Sequence, residues 1–87
     1  MELRRIEIRT AAIAVDALLK YAGLAGTGGE AKQLVQSGQV WVNGAAEIHR
    51  GRRLVPGDRV RVIDDDGAVV EDLEIAAAPD GHGPDAP

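Results

Sequence analysis

Apolar and polar residues alternate with period two over residues 3–9, with Ile6 and Ile8 on one side and Arg5, Glu7 and Arg9 on the other. That pattern predicts a strand buried on one face. The period then changes. Val15, Leu18, Leu19 and Ala22 fall at i, i+3, i+4 and i+7, one apolar stripe on a short helix over 14–22. Gly23 stands at the position where a left-handed residue commonly closes a helix. Thr27-Gly28-Gly29-Glu30 has the capping-box spacing. In that motif the Thr27 hydroxyl accepts the Glu30 backbone N–H, and the Glu30 carboxylate reaches back to the Thr27 N–H. The helix so started buries Ala31, Leu34 and Val35 and stops at Gly38. Helices this short do not persist alone, so they require a sheet to pack on.

The sheet follows directly. Residues 39–42 alternate, Asn43-Gly44 is the dipeptide preferred in a type I′ hairpin turn, and residues 45–48 return. Residues 49–53 are polar and basic, which predicts an exposed connection. Val55-Pro56-Gly57-Asp58 predicts a turn, and residues 59–62 a strand with Val60 and Val62 inward. Asp64-Asp65-Asp66-Gly67 turns the chain again into a weaker strand over 69–75. Residues 76–87, with three prolines, two glycines and no period, predict a disordered tail. The expected organisation is one domain over 1–75 with a tail over 76–87. Its class is α+β, two short helices packed on a small, mainly antiparallel sheet.

A chain of 87 residues buries only a modest fraction of its surface. Without cysteine, neither a disulfide nor a thiolate metal site braces it. The N-terminal residues lack a signal-peptide apolar run and no segment is long enough to span a bilayer, so a soluble cytoplasmic protein away from membranes is expected. The formal charge of −4 is unevenly spread. All ten Lys and Arg lie within residues 1–63 against six acids, and residues 64–87 hold eight acids and no base. Such asymmetry accompanies polyanion-binding bodies with an acidic appendage, and equally a protein whose charges only keep it dispersed.

No catalytic set is visible. The two histidines fall in a basic loop (His49) and in the tail (His82), with no nucleophile paired to either. The three consecutive aspartates lack the spaced ligands and closing glutamate of a calcium loop, and read as a solvated turn. Gly26, Gly28 and Gly29 lack the preceding strand and the Lys-Ser/Thr of a phosphate loop, and serve the bend between the helices. No enzyme activity, cofactor or metal is expected.

Binding chemistry is better represented. Arg50, Arg52, Arg53, Arg59 and Arg61 crowd residues 49–63 with one acid, Asp58. A guanidinium fork matches phosphate oxygens, and its flat face stacks on bases. Alternation places Arg59 and Arg61 opposite Val60 and Val62, and Trp41 opposite Val40 and Val42. If those outer faces adjoin, Trp41 sits among arginines and suits stacking an unpaired base. The other reading makes Trp41 a cover for the sheet edge, or a residue packed under a helix. The arginines are likewise either a phosphate-binding surface or solvated counter-charges to the acidic C-terminal strand.

Val15, Asp16, Leu19, Gly23, Leu24, Thr27, Ala31, Leu34, Val35, Gly38, Val40, Val42, Asn43 and Gly44, then the Gly57-Asp58 turn, form a spaced pattern. It resembles that of the RNA-binding domain named after ribosomal small-subunit protein S-four, also called the alpha-L motif. Two positions depart from it: Gly28 stands where the family starts its second helix with arginine, and Ala45 where a basic residue often follows Asn-Gly. The Gly-Gly-Glu-Ala-Lys run and the arginines before the final strand are similar to those of short, stand-alone bacterial members. The resemblance implies non-catalytic, ribosome-associated binding of structured RNA, ribosomal or transfer RNA, in translation. It further implies Lys32, Arg50, Arg52 and Arg53 as phosphate contacts that replace the missing ones. Lys20, His49, Arg59 and Arg61 stand at the margin of that surface, with Trp41 as a stacking residue. Asp16 is expected to order the helix start or a turn. The alternative is a protein-interaction module with the same fold, its acidic strand over 71–75 docking on a protein partner's sheet edge.

Overall fold

In a computed structural model that describes residues 2–79, the alternating segments form β1 (Arg4–Ile8), β3 (Val40–Val42), β6 (Arg59–Ile63) and β7 (Val69–Ala77). Three two-residue strands join them, β2 (Ile13–Ala14), β4 (Ala45–Ala46) and β5 (Arg53–Leu54). The helices are α1 (Val15–Tyr21) and α2 (Gly28–Gln36). One sheet has the order β1-β7-β6-β3-β4, with β1 parallel to β7 and every other pairing antiparallel; β2 and β5 form a second, two-stranded sheet. The class is the expected α+β, with a mainly antiparallel sheet.

Ile6, Ile8, Val40, Val42, Val60, Val62, Leu73 and Ile75 all point to one face of the large sheet and pack against Val15, Leu18, Leu19, Ala31 and Val35 of the helices. Burial of each such leucine or valine contributes roughly 1.5–3 kcal/mol, so this single layer of contacts holds the domain. Among the described residues, no helix covers the opposite face of the sheet. That face presents Arg5, Trp41, Arg59, Arg61, Asp72 and Glu74 instead.

Local signals hold in most places. Asn43 (φ 51°) and Gly44 (φ 88°) both adopt the left-handed conformation that a type I′ turn needs. Thr27 Oγ1 accepts the Glu30 N–H at 3.2 Å, but Glu30 Oε1 accepts from the Gly26 N–H at 2.8 Å rather than from Thr27. The glutamate therefore reaches one residue further back and closes the bend between the helices. Leu34 is only half-buried, at the margin of the core.

Three expectations change. The segment over 49–53 is not wholly a connection, because Arg53 starts β5; the adjoining Leu54 is fully buried and carries that strand into the core. The strand expected over 69–75 continues to Ala77, and the Ala78 N–H donates to Ile8 O at 2.9 Å. Ordered structure thus passes the boundary expected at residue 75; the rest of the expected tail, residues 80–87, lies outside the described residues. Finally, the acidic strand does not form a docking edge. β7 lies between β1 and β6, with residues 73–77 paired to β1 and residues 69–74 to β6, so the strand expected over 71–75 is interior to the sheet rather than an edge strand. Among the described residues, no helix is long and apolar enough to cross a membrane.

Candidate nucleic-acid interface

The arginine loop is built onto the start of α1. Ala14, the residue before that helix, offers no side-chain acceptor for the first free N–H groups. Two loop carbonyls take that role: the Val15 N–H donates to Arg52 O at 2.9 Å, and the Asp16 N–H to Arg50 O at 3.0 Å. The loop thereby replaces a serine or aspartate cap, and the helix fixes the loop in return. Asp16 Oδ1 accepts the Ala17 N–H at 2.7 Å, an ordering role within the first turn. The Arg52 N–H donates to His49 O at 3.1 Å and closes the loop on itself.

Glu47 stands beneath this loop. Its backbone N–H donates to Val40 O at 2.9 Å, which aligns it beside β3, and its residue is 8% exposed. Arg52 Nη1 donates to Oε1 at 2.9 Å, the His49 N–H donates to Oε2 at 3.0 Å, and His49 Nδ1 lies 3.2 Å from Oε2. The bond from Arg52, then that from the His49 backbone, holds the Glu47 carboxyl below the usual carboxylate range against the opposing effect of burial. Arg50 and Arg53 differ from Arg52. Both are exposed, and neither side chain has a hydrogen-bond or ion-pair partner among the described residues. The same holds for Lys20, in the last turn of α1, and Lys32, mid-way along α2.

The remaining three predicted residues lie on the helix-free face of the sheet. Trp41 and Arg61 are cross-strand neighbours, so the two outer faces do adjoin. Yet Arg59 donates from both Nε and Nη2 to the two Asp72 oxygens, each at 2.9 Å, and Arg61 Nε lies 3.6 Å from the same carboxylate. Asp72 is 9% exposed, and the Arg59 bond first, with its charge and that of Arg61, pulls its pKa down. Here the counter-charge reading of the arginines describes the geometry. Trp41 is half-buried; its indole Nε1 is covered and has no hydrogen-bond partner.

The nine predicted residues thus divide. His49, Arg50, Arg52 and Arg53 share the loop at the head of α1, Lys20 and Lys32 project from the helices, and Trp41, Arg59 and Arg61 occupy the opposite face. Composition missed the two carboxylates that create this division. Glu47 carried a signal, because two-residue alternation from Ala45 turns it inward. Asp72 carried one too, outward beside inward Leu73, but its partner depends on strand order. An open recess of about 630 Å³ lined by Leu24, Glu30, Gln33, Leu34, Gln36, Ser37 and Gln39 includes none of the nine. Among the described residues no cluster of three or more His, Cys, Asp or Glu side chains is placed to hold a metal ion.

Against known proteins, a family model described as S4 domain matches residues 6–71, most of the chain. Domains of that family are generally RNA-binding modules, typically without catalytic activity. No curated protein matches the chain.

Proposed function

The chain belongs to the S4 domain family, and from that premise we propose that it binds structured RNA, ribosomal or transfer RNA, through the loop over 49–53 together with Lys32. The observation that carries this reading is the contrast among the arginines. Arg52, Arg59 and Arg61 face internal carboxylates, whereas Arg50 and Arg53 are exposed and have no counter-charge among the described residues, on a loop tied to α1. A guanidinium held in place and unpaired meets phosphate without first breaking an ion pair. Lys20 and Lys32 supply further exposed charge, unpaired among the described residues, on the helix side of the sheet, and His49 flanks the loop.

In this reading Arg52 is partly structural. Arg59, Arg61 and Trp41 contribute only where RNA reaches around the sheet and competes with Asp72. The protein acts by positioning on RNA shape and phosphates, without chemistry of its own, as one unit over the described residues. A ribosome-associated role in the cytoplasm, in translation, follows as the proposed setting.

The test is the variant Arg50→Ala, Arg53→Ala, Lys32→Ala, titrated against transfer RNA and a ribosomal RNA helix junction at several salt concentrations. Each deleted phosphate contact removes nearly one unit from the slope of log affinity against log salt, so a fall of about two to three in slope is expected. Affinity at low salt should drop by about 100-fold, with a melting temperature close to that of the unsubstituted protein. Equal affinity and equal slope would overturn the assignment.

A further inference from the structure

Glu47 is a buried acid set inside the most basic stretch of the chain, where its charge opposes any polyanion. We propose that Glu47 is a positioning residue for RNA binding: it fixes Arg52 and the loop backbone so that Arg50 and Arg53 are displayed in one geometry. This rests on the reading that the loop contacts RNA.

The connection is continuous. Val40 O accepts the Glu47 N–H, the Glu47 carboxylate accepts from Arg52 Nη1 and from the His49 N–H, and the Arg52 carbonyl accepts the Val15 N–H of α1. The Glu47 side chain ties its residue to the loop, and backbone bonds carry the connection on to the sheet at Val40 and to the helix at Val15. Both carboxylate oxygens accept protein donors, so the group is fully used in holding the loop rather than turned toward solvent. Arg52 is held at both ends, by its guanidinium and by its carbonyl. Arg50 lies between the two bonded points, His49 and Arg52, and its own carbonyl is the acceptor for Asp16. Ordering these residues before RNA arrives removes a conformational entropy loss from the binding step.

Charge and position predict opposite signs. If Glu47 only neutralises Arg52, Glu47→Gln removes an anion and frees a cation, and RNA binds more tightly with a steeper salt dependence. If Glu47 positions the loop, Glu47→Gln weakens binding although the protein has become more positive. Glu47→Asp separates the two effects again, because it keeps the charge and shortens the reach. We expect Glu47→Gln and Glu47→Asp each to weaken binding to transfer RNA and to a ribosomal RNA helix junction by about 3–10-fold. Amide hydrogen exchange at Val15 and Asp16 should rise several-fold in both variants, because their acceptors are the loop carbonyls.

Glu47→Gln binding as tightly as wild type, or more tightly, overturns the proposal. So does weaker binding with unchanged exchange at Val15 and Asp16. Should Glu47→Gln fail to fold, Glu47→Asp carries the same two readouts. Failure of the underlying reading has a different signature: Arg50→Ala with Arg53→Ala then binds RNA like wild type, whatever the Glu47 variants do.

Discussion

Arg59 donates to Asp72 from Nε and from Nη2, each at 2.9 Å, and Arg52 donates to Glu47 from Nη1 at the same distance. These side chains look alike in a sequence and differ in what they are free to do. Arg59→Ala leaves the nearly buried Asp72 with Arg61 at 3.6 Å as its remaining cation. Removing one partner of such a pair destabilises mainly by stranding the other. The expected result is a melting temperature lower by several degrees with RNA affinity changed little, and Asp72→Asn added to Arg59→Ala should recover part of the loss. The same two carboxylates contribute to the acid limit of the fold. Both are held below the ordinary carboxylate range, so their contribution is complete above the unfolded value, about pH 4, and is lost as pH falls through the folded one. Melting temperature should therefore be steady from pH 7 to about 5 and fall below about 4, and Glu47→Gln with Asp72→Asn should flatten that acid limb. The arginine run itself was legible in the sequence. Which arginines are paired was not, since Arg59 and Asp72 meet only through the register of β6 on β7.

Among the elements, those with a period were readable and those without one were not. Val15, Leu18 and Leu19 gave α1, Val60 and Val62 gave β6, and Asn43-Gly44 gave the turn. The β2–β5 pair is hidden because two residues per strand show no alternation, and its anchor, Leu54, stands alone between the basic segment over 49–53 and the turn over 55–58. Leu54 is fully buried, so Leu54→Ala should cost about 2–5 kcal/mol in urea unfolding. Because β5 continues from the arginine loop, that variant should also loosen Arg50 and Arg53. A backbone test is Gly44→Ala: at φ 88° an added Cβ is strained, and a loss of about 1–2 kcal/mol is expected.

At the scale of the whole molecule, the charge asymmetry has an internal use. Of the acids after residue 63, Glu71 lies 3.2 Å from Arg4 and Asp72 faces Arg59 and Arg61, so β7 brings counter-charge to both of its neighbours, β1 and β6. Composition alone made this segment an appendage, because a long-range pairing of β1 with β7 leaves no local trace. The family match ends at residue 71, whereas β7 runs to Ala77 and contributes the buried Leu73 and Ile75. A fragment cut at residue 71 should therefore show no cooperative thermal transition by circular dichroism.

The parallel pairing of β1 with β7 also governs the order of events during synthesis. β1 is made before the other strands of this sheet and among the described residues has no strand neighbour but β7, so it stays unpaired while every intervening element is made. The helices and the β3–β4 hairpin form from near neighbours in sequence. β6 and β7 likewise pair across the short turn over 64–68, so the sheet closes when β7 meets β1, the pairing most distant in sequence and of a kind that forms slowly. A nascent chain therefore carries its arginine loop before it has a finished domain to hold it, and the domain is complete only once β7 has been made.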